Sequence, residues 1–298
     1  MQTAPGRRGQ WPAGMTRSNG ALPGQPGHAW VMPARRSLAS RGSVSRAGLV
    51  RRLRANTKVM PGSLDAGRHD APAASQVTPP MTAPLPDPLE AARDVGRDWV
   101  EAAYFTEAEP YADSQWRDII LPFLAIEATG IDLGVTMDLA AGHGRNAARL
   151  LPLAGVLHIV DIHASNVEIC RRRFGDDPRI HYSPTDGVTL PVPDAALSFL
   201  FCFDAMVHFD SDVVRAYLRE ARRALRPGGH AFLHHSNEHR FPGGDFRRHP
   251  HWRNYLSLSL MAHYAAKEGL EVVRQRPLDW NHDGSDIDGL TLLRAPRA

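Results

Sequence analysis

The sequence predicts an α/β fold, a doubly wound and mostly parallel sheet covered by helices on both faces and closed by an antiparallel pair of strands. Three observations lead there. Short apolar runs alternate with stretches of helical periodicity between residues 135 and 235, the pattern of successive β-α-β units. The first run, Val135 to Leu139, stops at a glycine turn and resumes as a helical pattern. The last two strand-like runs, starting at Leu270 and Gly289, are joined only by the polar loop Asn281 to Asp288, which suits a hairpin.

Charge divides the chain before the elements do. Residues 1–64 hold eleven Arg or Lys and no Asp or Glu, whereas the whole 298-residue chain carries a formal charge of only +3. A basic leader therefore precedes a mildly acidic domain, and the high isoelectric point is no argument that the folded part binds nucleic acid. Residues 1–88 are rich in Pro, Gly, Ser, Ala and Arg and lack a sustained periodic pattern. Such a segment buries too little apolar surface to offset its chain entropy, which predicts disorder. An acid-free, Arg-rich composition equally suits an organellar transit peptide, and a start at Met60 or Met81 is a third reading. The predicted division is a leader over 1–88 and a folded domain over 89–298. Cys170 and Cys202 suit a reduced compartment, and no stretch approaches the ~18 apolar residues of a membrane span. The expectation is a cytoplasmic protein without a membrane partner, with organellar import through the leader as the alternative.

Within the domain, Trp116, Ile119, Ile120, Phe123 and Leu124 fall on one helical face, the stripe of a helix packed on a core. Then comes Val135-Thr-Met-Asp-Leu-Ala-Ala-Gly-His-Gly144, strand followed by turn. Gly142 and Gly144 lack a Cβ, so a ligand can approach the backbone where the next helix begins. Gly155 to Asp161 is a second strand ending in a carboxylate. In a doubly wound sheet that acid lies beside the first turn, where it can accept from both hydroxyls of a ribose; the alternative is an Asp that caps the helix over Ala164 to Phe174. Arg179 to Gly187 is a short strand running into an Asp-Gly turn. Ala195 to Phe203 is nearly continuous in apolar residues, as in a central parallel strand buried on both faces. Asp212 to Leu225 has helical spacing, Arg226-Pro-Gly-Gly229 ends it, and a fifth strand follows. After an irregular stretch from Ser236 to Asn254, a helix is predicted through Leu256 to Ala266.

Asp138 followed by Gly142-His-Gly144, together with Arg223-Ala-Leu-Arg-Pro-Gly-Gly-His-Ala-Phe-Leu233, resembles the class I S-adenosylmethionine-dependent methyltransferases. Ala140 departs from the pattern, standing where the family often has another glycine. The resemblance covers about Asp98 to Arg294 and implies a seven-stranded Rossmann-like methyltransferase sheet with S-adenosylmethionine as cofactor. It implies cofactor-binding roles for Asp138, Ala140, Gly142, Gly144, Asp161, Asp186, Gly187 and Phe203, with Asp186 accepting from the adenine amino group. It also makes the segment before the glycine turn a lid, with Tyr104 and Tyr111 as candidates. Gly142 to Ala147 satisfies a dinucleotide fingerprint too, so a nicotinamide-dependent oxidoreductase stays open, as does an inactive methyltransferase-like binding module.

S-adenosylmethionine carries an activated methyl group, so such an enzyme need mainly align a nucleophile and exclude water. A hydroxyl acceptor also needs a base, and histidine suits that task. His208, after the fourth strand, and His234 and His235, in the fifth, stand at sheet ends where ligands bind and are the candidates. Strand alternation sends His234 and His235 to opposite faces. His143 is expected to shape the cofactor pocket. His234, His235, His239 and Asp245 follow no tetrahedral spacing, so no metal is expected. Ser236 to Arg253, with its Arg and aromatic residues and the Gly243-Gly244 pair, reads as a substrate-facing insertion. The chain lacks a Pro-Cys nucleophile and an Asp/Asn-Pro-Pro-aromatic motif, which disfavours base-directed chemistry on nucleic acid. The expected partner is a small-molecule or carbohydrate-type acceptor, methylated at oxygen; the sequence sets no oligomeric state.

Overall fold

A computed structural model of the chain describes residues 87–97, 99, 103–125, 130–242, 247, 249 and 252–297. The leader and the Gly243-Gly244 pair lie outside the described residues. Seven strands form one sheet: β1 (Val135–Leu139), β2 (Val156–Asp161), β3 (Ile180–Pro184), β4 (Leu197–Cys202), β5 (Leu225–Ser236), β6 (Glu271–Leu278) and β7 (Asp288–Arg294). Their order is β3-β2-β1-β4-β5-β7-β6. The first four neighbouring pairs run parallel, and β7 pairs antiparallel with both β5 and β6. Strand order reverses between β1 and β4, so the crevice beyond their carboxyl ends is where such a sheet takes a ligand.

Alternation along β4 explains the two layers of core. Phe199 and Phe201, continued by Phe203, pack with Trp116, Phe123 and Phe232 on one face. Leu200 and Cys202 pack on the other with Val213, Val214, Tyr217 and Leu218. All six β4 residues are buried, as a central strand between two helical layers requires.

Helix α1 (Pro88–Arg97) and the short α2 (Tyr104–Ala108) open the described region. The predicted helix over 112–124 forms as α3 (Ala112–Gln115), a π-helical turn Trp116–Ile120 and α4 (Leu121–Ala125). Trp116 lies over Phe201 at 5.5 Å and its indole donates to Asn146 at 2.9 Å. After β1 come α5 (Ala147–Leu150) and, beyond β2, α6 (Ala164–Phe174). Helix α7 (Ser211–Ala224) is capped by Asp210, which accepts from the Asp212 amide, and α8 (Leu258–Lys267) by Ser257, which accepts from Leu260. The Pro-Gly-Gly stretch differs from the predicted free turn: it lies inside β5, where the pairing with β4 slips between Leu197 and Phe199. Arg226, Pro227 and the glycines bulge out of the ladder, and Gly228 takes φ +77.

Ala140, directly after β1, has φ +57. A side chain in that region costs roughly 1–2 kcal/mol, partly offset by the extra chain entropy of glycine. Ala140→Gly should therefore stabilise the protein by about 1 kcal/mol, a rise of roughly 2–4 °C in Tm for a domain of this size. A lower Tm in thermal denaturation would contradict that reading of the turn.

Candidate functional site

A residue of β2 holds the turn that follows β1. Asp161 Oδ2 accepts from the Gly142 amide at 2.8 Å, while Oδ1 accepts from the His163 amide at 2.9 Å and the Asn166 side chain at 3.1 Å. One carboxylate thus joins two strand ends and the first turn of α6. It acts as a local cap and a clamp at once, and with three donors its acceptor capacity is not exhausted. Beside it opens a cleft of about 730 Å³. Asp161, Asn166, Gly187, Asp204, His208 and Phe209 line it, with Ala140 and Tyr104. Gly187, at φ +102, is pressed so close to α1 that a Cβ would stand 2.7 Å from the Ala92 methyl carbon.

Three of the expected cofactor contacts lie elsewhere. Asp138 is 1 % exposed and sits beneath the turn, outside the cleft wall, where it accepts from the Ala147 amide. Burial pushes its carboxyl up to about 8, against the pull of Arg145. Asp186 lines neither cavity and accepts within its own turn, from the amides of Val188 and Thr189 at 2.9 and 2.7 Å and from the Thr189 hydroxyl at 2.9 Å. Gly144 faces α6: a Cβ there would meet the Phe174 ring at 2.6 Å and the Cys170 sulfur at 3.1 Å. Its role is close packing.

Gly142 and Phe203 line a second cavity of about 350 Å³, together with His143, Arg145 and Asp204. Tyr104, Phe105, Ala140 and Asp204 belong to both cavities, so α2 forms the partition. Phe105 covers the glycine turn, its ring 2.4 Å from where a Gly142 Cβ would stand and 4.4 Å from the His143 ring centre. Tyr104 donates its hydroxyl to Asp204 Oδ2, and Arg145 Nη2 donates to the same oxygen at 2.8 Å. Tyr111, the other lid candidate, is 54 % exposed and lines neither cavity. Sequence reasoning passed over Asp204, Arg145, Trp99 and Phe105. An acid directly after the apolar β4 run was the available signal for Asp204.

The histidines sort by what their nitrogens already hold. His234 accepts from the Asp204 amide through Nδ1 at 3.1 Å and meets Asp288 through Nε2 at 3.0 Å. Both nitrogens are engaged, and it lines neither cavity. His235 is fully buried, with Nδ1 on the Ser236 carbonyl at 2.8 Å and Nε2 on the Thr291 hydroxyl at 2.7 Å. It lines neither cavity. His208 alone of the three lines the cleft. Its Nδ1 is 2.8 Å from the Trp252 carbonyl; a carbonyl only accepts, so Nδ1 carries the proton and Nε2 is the basic nitrogen. Burial, with Arg253 adding to it, lowers His208 to about 4, which keeps the ring neutral.

Among its described residues, the Ser236 to Arg253 segment presents no spare arginine to an anion. Arg240 bonds Glu238 at 2.9 Å, Arg247 bonds Asp94 at 3.0 Å, and Arg253 grips Asp288 through Nε and Nη2 at 2.6 and 2.7 Å. Trp252 stands at φ +57, a strained setting for a bulky residue, and so aims its carbonyl at His208. Among the described residues no group of three His, Cys, Asp or Glu could hold a metal ion.

Burial would raise the Asp288 carboxyl, but Arg253 and His234 hold it well below the usual carboxylate range. A depressed folded pKa contributes stability above the unfolded value of about 4 and loses it as pH falls through the folded one. Asp288→Asn, which leaves Arg253 buried without its partner, should cost about 3–5 kcal/mol at pH 7. Urea unfolding should show that deficit shrinking below about pH 4; an equal deficit at pH 3 would contradict the pairing.

A methyltransferase-domain model matches residues 136–229. No curated protein matches the chain. Similar solved structures include an S-adenosylmethionine-dependent methyltransferase from Methanosarcina mazei, 12% identical, covering 58% of this chain and 98% of that one, with a TM-score of 0.46. Another from Mesorhizobium loti is 18% identical over 57% and 95%, with a TM-score of 0.46. The cyclase SpnF is 16% identical over 66% and 84%, with a TM-score of 0.48. None is close enough to lend this chain a substrate. The matched segment, residues 136–229, runs from β1 into β5 and includes the clamped glycine turn, so this part of the chain is similar to a methyltransferase domain.

Proposed function

We propose that this chain transfers the methyl group of S-adenosylmethionine to a hydroxyl of a small-molecule acceptor, with His208 as the base. The observation that carries the reading is one cleft lined by both Asp161 and a neutral His208. The residues fit the cofactor. Asp161, Asn166 and Thr185 supply polar groups beside the apolar Ala92, Ile162 and Gly187, a combination suited to a ribose and a purine ring. The glycine turn leads from there to the second cavity. Phe105 covers Gly142, so a ligand lying along that turn requires α2 to shift. When bound, S-adenosylmethionine supplies a methyl carbon on a positive sulfonium.

The chain's own residues do the rest. Trp99, Phe209 and Tyr217 give the cleft an aromatic lining that excludes water. The acceptor hydroxyl hands its proton to His208 Nε2 as the oxygen attacks the methyl carbon. Asp204 is already neutralised by Arg145 and bonded by Tyr104, so this wall holds no unpaired carboxylate for an ammonium acceptor. A neutral hydroxyl, on a small molecule of carbohydrate type, suits it better.

Isothermal titration of the full chain should show one site for S-adenosylhomocysteine and none for NAD. NAD binding alone would replace this reading with an oxidoreductase, and product binding without transfer would make the domain a binding module. With labelled S-adenosylmethionine and a small-molecule extract as acceptor source, His208→Gln should cut the rate by about 10²–10⁴ and leave S-adenosylhomocysteine affinity unchanged. Because His208 is lowered to about 4, its base form persists above that value. The rate should stay flat from pH 8 to 5, whereas a fall near the ordinary imidazole value of about 6.5 would exclude His208.

A further inference from the structure

Asn166, in the first turn of α6, is 1 % exposed and lines the cleft. Its side-chain nitrogen donates to Asp161 Oδ1 at 3.1 Å, which fixes the orientation of the amide. The amide oxygen is then buried with no donor among the described residues. A buried carbonyl left in this way costs about 1–3 kcal/mol, a cost that a bound donor would remove.

The surroundings say which donor. Asp186, the expected partner of the nucleoside, has turned its carboxylate into its own loop. Asp161 has three donors already, so it cannot satisfy two ribose hydroxyls without competition. Asn166 offers an unused acceptor next to it.

We propose that Asn166 recognises the nucleoside of the cofactor, its amide oxygen accepting from one ribose hydroxyl while Asp161 accepts from the other. Asp161 and Asn166 act as a pair: the Asn nitrogen orients the carboxylate, and the Asn oxygen completes the diol site. This rests on the cofactor reading above. It makes the site selective for a ribonucleoside over a deoxyribonucleoside through two different residues.

The test is isothermal titration of the full-length wild type and Asn166→Ala with S-adenosylhomocysteine and with its 2′-deoxy and 3′-deoxy analogues. The alanine variant should bind S-adenosylhomocysteine about tenfold more weakly, the equivalent of one ordinary hydrogen bond. With the analogue that lacks the hydroxyl held by Asn166, wild type and variant should bind alike; with the other analogue the tenfold gap should persist. The same loss on all three ligands would mean that Asn166 acts only by supporting Asp161, and no loss would mean that it does not touch the nucleoside; either overturns the proposal. If the alanine variant fails to fold, Asn166→Ser, whose hydroxyl is too short to span the same distance, carries the same comparison. A wild type that binds none of the three ligands would remove the cofactor reading itself, and the assignment of Asn166 with it.

Discussion

The carboxylate of Asp161 is the constraint on which the site depends. It sits at the end of β2, is 5 % exposed, and is held by donors from two loops and a helix. Its grip on the Gly142 amide fixes a turn in which Ala140, Gly142 and Gly144 all take positive φ. That bond offsets part of the cost of holding left-handed residues in the turn. The parallel pairing of β1 and β2 brings the two strand ends side by side, so the clamp follows from topology.

A second set of buried groups holds Asp204, which lines both cavities. Tyr104 and Arg145 meet on Asp204, the Asp204 amide meets His234, His234 meets Asp288, and Asp288 meets Arg253. Burying so many polar and charged groups is seldom a net gain in stability over well-packed apolar residues. What the chain does achieve is position. Asp204 is kept at φ +62, Trp280 stacks on His234 at 5.0 Å, and the wall of both cavities becomes rigid. Strain held at a cleft in this way is characteristic of functional sites.

Much of the fold was legible because it is written locally. Apolar runs, the helical stripe from Trp116 to Leu124 and the closing hairpin follow from periodicity and turn chemistry, which neighbours in sequence decide. The spacing of Asp161 placed it beside the glycine turn as a ribose acceptor or a helix cap, whereas its clamp on the Gly142 amide is visible only in the fold. Asp138 and Asp186 misled because an acid at a strand end looks the same whether it faces a cleft, a buried amide or its own loop. The surroundings of the histidines were hidden for a related reason: apart from the adjacent Ser236 carbonyl, the partners of His234 and His235 come from positions 30 to 56 residues away. Asp204 was missed because its meaning comes from Arg145, 59 residues away, and Tyr104, 100 away.

The most direct test is a crystal structure of the full chain with S-adenosylhomocysteine. The nucleoside should lie between Asp161 and Gly187, the amino-acid end should run along the glycine turn, and Phe105 should have left its place over Gly142. A ligand bound away from Asp161, or one seated with Phe105 still covering Gly142, would contradict the assignment of this cleft as the cofactor site.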